Sequence, residues 1–146
     1  ADFPFTKKVP ERVEQDVLWA RAQVALADKN DLEAEKLLSQ LSAKWIGEVG
    51  AEGTYHLARI AHQRGDWIAS NQWIEKQSLA FSDFSYWSAQ GLLLMADNFK
   101  AQGDWFQASF IWKSIVAHYI DFPVLVERAQ AALDQMPVDG DEPLNN

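Results

Sequence analysis

The chain repeats itself. A shift of 38 residues lays Gly65-Asp66-Trp67 on Gly103-Asp104-Trp105, Phe81 on Tyr119, Asp83 and Phe84 on Asp121 and Phe122, and Ala58 on Ala96. A match that spans a turn, a helix interior and the following loop commits the sequence to a tandem of one supersecondary unit. A unit of this length cannot bury its own apolar face, so successive copies must stack.

Each copy reads as helix, tight turn, helix. In the second, residues 51–64 precede Gly65-Asp66 and residues 67–81 follow; in the third, residues 86–102 precede Gly103-Asp104 and residues 105–119 follow. Glycine suits the left-handed position that ends a helix, and an adjacent Asp accepts backbone N–H bonds from the next one. The paired helices are therefore antiparallel. A fainter first copy spans residues 10–44, with Pro10 as a helix start and Asp28-Lys29-Asn30-Asp31 as its turn. Asn30 is read in the place of the later glycines, with the register set only to within one residue, and Leu32, Leu37, Leu38 and Leu41 form the apolar stripe of its second helix. After Asp121-Phe122-Pro123, a last stripe at Leu125, Ala129, Ala132, Leu133 and Met136 is backed by Glu127, Arg128, Gln130, Asp134 and Gln135. One apolar and one polar face make a capping helix. Every periodic segment has helical spacing and none alternates as a strand does.

The expected architecture is all-α: three helix pairs and a capping helix over residues 10–136. An extended arm is expected over residues 1–9, where Phe3, Pro4 and Phe5 sit, and a flexible acidic tail over residues 137–146. Trp112 and Phe99 are expected in the core of the third pair, with Trp67 and Trp105 at helix starts.

Composition narrows function by exclusion. A net charge of −8 disfavours nucleic acid and anionic membrane surfaces. The longest apolar stretch, residues 92–96, is far below the roughly 20 residues of a membrane span. Without Cys there is no disulfide, thiol nucleophile or thiolate metal site, which suits cytosol and periplasm alike. The opening at Ala1, with neither Met nor an apolar signal core, suggests a processed product or a piece of a larger protein. No phosphate-cradling Gly loop or GxSxG turn is present, and His56, His62 and His118 lack HExxH spacing. Glu52 and His56 stand four apart, too few ligands for a dedicated metal site. Neither enzyme activity nor a cofactor or metal is expected.

The repeats resemble the tetratricopeptide family. In the third copy Met95, Ala96, Phe99, Gly103, Asp104, Ala108, Trp112 and Ile115 occupy the family's apolar, small and turn positions; in the second, Leu57, Ala58, Ala61, Gly65 and Asp66 do, with Ser70 and Gln77 in place of the usual alanines. Neither copy has the family's closing Pro. The run from Tyr86-Trp87-Ser88-Ala89 through Leu94-Met95-Ala96 to Phe99, and the closing Val126-Glu127-Arg128-Ala129, resemble C-terminal repeats of Bacteroidota tetratricopeptide proteins. The resemblance covers residues 11–136 and implies a right-handed superhelix, a protein-interaction scaffold, and a periplasmic or cell-envelope setting.

The family's groove positions fall on Glu52, Tyr55, His56, Arg59, His62 and Gln63 in the second copy and on Gln90, Leu93, Leu94, Asp97 and Lys100 in the third. Tyr and Arg are residue types that dominate interface energies. The set does not reproduce the Lys and Asn clamp with which some relatives hold a terminal carboxylate, so that specificity is not carried over. The resemblance thus implies a protein or peptide ligand in this groove. The alternative is a structural or self-associating segment of a longer repeat protein.

Overall fold

The computed structural model describes residues 11–137 except positions 43 and 46. The arm expected over residues 1–9, the start at Pro10 and the tail beyond Pro137 lie outside them. The described residues form seven helices and no strand: α1 (Glu11–Ala27), α2 (Asp31–Leu41), α3 (Gly47–Gln63), α4 (Trp67–Ala80), α5 (Ser85–Ala101), α6 (Trp105–His118) and α7 (Pro123–Asp134).

The three intrapair turns are built alike. Gly65 and Gly103 take φ of +77° and +78°, and the next residue, Asp66 or Asp104, caps the following helix by accepting a bond of 3.1 Å from the N–H of Ala69 or Gln107. The same Asp donates its own N–H five residues back, to Ala61 O or Phe99 O, which closes the preceding helix. In the first copy the register is one residue earlier than expected. Lys29, at φ +57°, holds the glycine position, while Asn30 is the cap, accepting from Glu33 N and donating to Ala25 O. A side chain at positive φ is strained. Lys29→Gly is accordingly expected to raise stability, and Gly65→Val or Gly103→Val to lower it by about 1 kcal/mol or more. Chemical denaturation of the three variants checks both signs.

Neighbouring helices pack in chain order, and α3, α5 and α7 also lie side by side. One core cluster joins Leu37, Leu38 and Leu41 of α2 to Leu57 and Ile60 of α3, with Trp45 and Phe81 from the loops. A second gathers Leu93, Ala96, Trp112, Ile115, Leu125 and Ala129. Trp112 is 1% exposed at the heart of this cluster, and Phe99 packs partly buried against the cluster, as expected. The expected stripe on α2 needs one correction: Leu32 is 78% exposed, because it follows the cap and points away from α1 while Leu37, Leu38 and Leu41 turn inward.

Between the two clusters lies a polar layer. Gln77, 1% exposed, donates to Ala51 O at 2.9 Å; fully buried Asn98 donates to Ser70 Oγ and Asn71 Oδ1, each at 2.8 Å. Gly91 makes room for the long Gln77 side chain, since a Cβ there would collide with Gln77 Oε1. These bonds tie α3, α4 and α5 to one relative position, as apolar contacts alone would not.

Candidate functional site

The shared face of α3, α5 and α7 presents one row of side chains per helical level. The 38-residue repeat places Glu52, Gln90 and Arg128 at equivalent positions on the three helices, and Arg128 donates to Gln90 Oε1 at 3.4 Å across the α5–α7 boundary. Gln90 in turn donates to the Tyr86 hydroxyl at 2.9 Å.

Aromatic rings run across the same face. Tyr55 of α3 lies 5.7 Å from Trp87 of α5; Trp87 meets Tyr86 edge to face at 5.1 Å; and Tyr86 meets Phe122, at the start of α7, at 5.7 Å. Rings at such separations attract beyond their area burial. The Trp87 indole N–H donates to Glu48 Oε1 at 3.3 Å, which fixes the ring against α3. At the far end Tyr86, Gln90, Phe122, Leu125 and Arg128 enclose a recess of about 360 Å³.

Of the residues expected in the groove, Tyr55, His56, Arg59, Gln90 and Asp97 share this neighbourhood. His56 Nε2 is 3.7 Å from Glu52 Oε1, a spacing that suggests an ion pair. Burial, and secondarily Arg59, lowers the His56 pKa to about 4, so at neutral pH the contact is between a neutral ring and a carboxylate. Burial raises the Tyr55 and Asp97 pKa values; Arg59 and Arg128 oppose this at Tyr55, and His62, Arg128 and Lys100 at Asp97.

The other expected groove residues are placed differently. Leu93 and Leu94 are 4% and 7% exposed and belong to the core, because the face of α5 that carries them meets α4 and α6. His62 Nδ1 sits 2.6 Å from Asn98 Oδ1, joining the buried polar layer, and Lys100 stands over the Trp105 ring at 5.8 Å. Gln63 is exposed at the end of α3. Sequence reasoning missed Glu48, Tyr86, Trp87, Phe122 and Arg128. The repeat itself could have found Arg128, by carrying Glu52 and Gln90 one unit further into the helix read only as a cap.

The lowered His56 pKa has a testable sign. The unfolded chain, with an ordinary histidine near 6.5, binds a proton that the folded ring refuses until about pH 4. Stability is therefore complete above about pH 6.5 and falls as pH drops toward 4, by up to about 3 kcal/mol from this group. His56→Gln is expected to flatten that part of the stability profile; urea titrations at a series of pH values measure it.

No protein-family model matches the chain, and neither the curated proteins nor the solved structures searched contain a match. Among the described residues no helix is long and apolar enough to cross a membrane, and no group of three or more His, Cys, Asp or Glu could hold a metal ion.

Proposed function

We propose that this protein is a non-enzymatic scaffold of tetratricopeptide type, binding an extended segment of a partner protein along the shared face of α3, α5 and α7. The observation that carries the reading is the aromatic row Tyr55, Trp87, Tyr86 and Phe122, which crosses all three helices on one side. Rigid rings supply contact area at little entropic cost, and Arg59, Gln90 and Arg128 beside them supply directional polar groups. A cell-envelope setting goes with this reading, on the likeness of residues 86–99 to envelope repeat proteins.

The test is selection of a phage-displayed random peptide library on the folded chain. Peptides recovered in this way should bind Tyr86→Ala about 1–2 kcal/mol more weakly, with stability nearly unchanged because Tyr86 is 40% exposed. Tyr55 is a poorer probe, since it also packs against the cluster of Ala58, Ile74 and Leu94. Selected peptides that bind wild type and Tyr86→Ala equally would put the site elsewhere.

A second reading, self-association, has its own observation. Leu32, Ile68 and Phe106 are each the second residue of the second helix of their pair, and they are 78%, 69% and 81% exposed. An apolar residue repeated at one outward position is a seam on which copies can meet. Sedimentation over a concentration series separates the two readings.

A further inference from the structure

The groove is bipolar in charge. On α3, Glu48, Glu52, Tyr55 and Arg59 follow one another at helical spacing, acids toward the N-terminal end and guanidinium toward the other. Such an order complements a helix dipole, but the dipole acts within the terminal turns. Glu52 lies beyond the first turn, where burial, and then Glu48, push its carboxyl pKa up. The nearest base, His56, is uncharged at neutral pH and does not compensate the two acids. Trp87 stands beside them with its indole bonded to Glu48, and Tyr55 and Tyr86 pack against Trp87. Two carboxylates without a charged partner beside an aromatic ring form a setting that attracts a cation.

Further along α3 the sign changes at Arg59. Arg59 and Arg128 act on the Tyr55 hydroxyl, and His62, Arg128 and Lys100 act on the Asp97 carboxylate, in a chain of net charge −8. The Arg59 guanidinium has no hydrogen bond or ion pair among the described residues, and its planar fork of N–H donors matches a carboxylate.

Resting on the groove reading above, we infer that the ligand is an extended peptide segment of mixed charge. Its Lys or Arg side chain lies beside Trp87 at Glu48 and Glu52, and its Asp or Glu side chain lies at Arg59. Glu52 and Arg59 are two helical turns apart, about 10 Å. Extended chain advances about 3.3 Å per residue, so the two ligand charges should be separated by about three residues, or about five if measured from Glu48.

The random displayed library tests this directly, with one synthetic peptide from the recovered set titrated by fluorescence anisotropy. The expected result is enrichment of a basic and an acidic residue about three to five positions apart. Glu52→Gln and Arg59→Gln should each raise the Kd of that peptide about five- to tenfold, and added salt should weaken binding. Substituting the peptide's basic residue should abolish the effect of Glu52→Gln and leave that of Arg59→Gln, a pairing that general destabilisation would not produce. Recovered peptides that lose affinity with Tyr86→Ala but show no charge pairing, and that bind Glu52→Gln and Arg59→Gln as wild type, would overturn the inference and leave the groove standing. Failure to recover any peptide sensitive to Tyr86→Ala would overturn both.

Discussion

Trp112→Ala is expected to lower stability by about 3–5 kcal/mol, the range for removing a large aromatic from a packed core. Trp112 is 1% exposed on α6, in one cluster with Leu93 and Ala96 of α5 and Leu125 and Ala129 of α7. Three successive helices therefore lose contacts at once, and small residues such as Ala96, Ala108 and Ala129, all fully buried, cannot reach into the space. The loss should appear as a lower urea midpoint with helix content retained in water. Hydrogen exchange should report it most strongly in α5, α6 and α7, because these helices line the cluster while α1 and α2 pack elsewhere. A midpoint within error of wild type would refute the assignment of this ring to the centre of the second cluster.

Helix order and turns were legible in the sequence because their causes are local. Gly-Asp writes a left-handed turn followed by a cap, and the second copy of the motif shows that the first is no accident. The first copy was misread by one residue because Lys29 occupies the left-handed position without advertising it, whereas Asn30 is suited equally to that position and to the cap. Leu32 misled for a related reason, since apolar type was taken as burial while its place at the helix start turns it outward. The core assignments of Trp112 and Phe99 followed from helical spacing within one unit.

The shared face of α3, α5 and α7 was legible only in part because it is made between units. Tyr55, Arg59 and Gln90 could be placed on their own helices, but which neighbour each meets depends on the packing of α3, α5 and α7. Trp87 looks from sequence like one more core aromatic; it does pack against the first cluster, and its bond to Glu48 and its contact with Tyr55 also bring it to the shared face. His62 shows the converse: a residue expected to face ligand bonds instead to buried Asn98 at 2.6 Å between α3 and α5.

Trp45 and Gly53 should behave as a lock and its seat, and a double-mutant cycle should show it. The backbones of α1 and α3 do not approach each other; the Trp45 ring fills the interval, edge to face with Trp19 of α1 at 6.1 Å and lying on α3 at Gly53. A Cβ at position 53 would fall inside that ring, and nothing flexible is there to yield. Gly53→Ala is therefore expected to destabilise by about 1–3 kcal/mol, although alanine is the better helix former by about 1 kcal/mol. Trp45→Ala should cost about 3–5 kcal/mol on its own, since the ring is 7% exposed and joins the first pair to the rest of the stack. Part of that loss is offset because the indole N–H has no hydrogen-bond partner among the described residues, so Trp45→Phe should cost less than ring loss alone implies. In the Trp45→Ala background the obstacle is gone, and the added methyl at position 53 enters empty space on a helix that favours it. Gly53→Ala should then turn from destabilising to neutral or stabilising. Urea unfolding of the wild type, both single variants and the double variant yields the coupling energy; strict additivity would mean that the indole does not rest on Gly53 and that another contact holds α1 to α3.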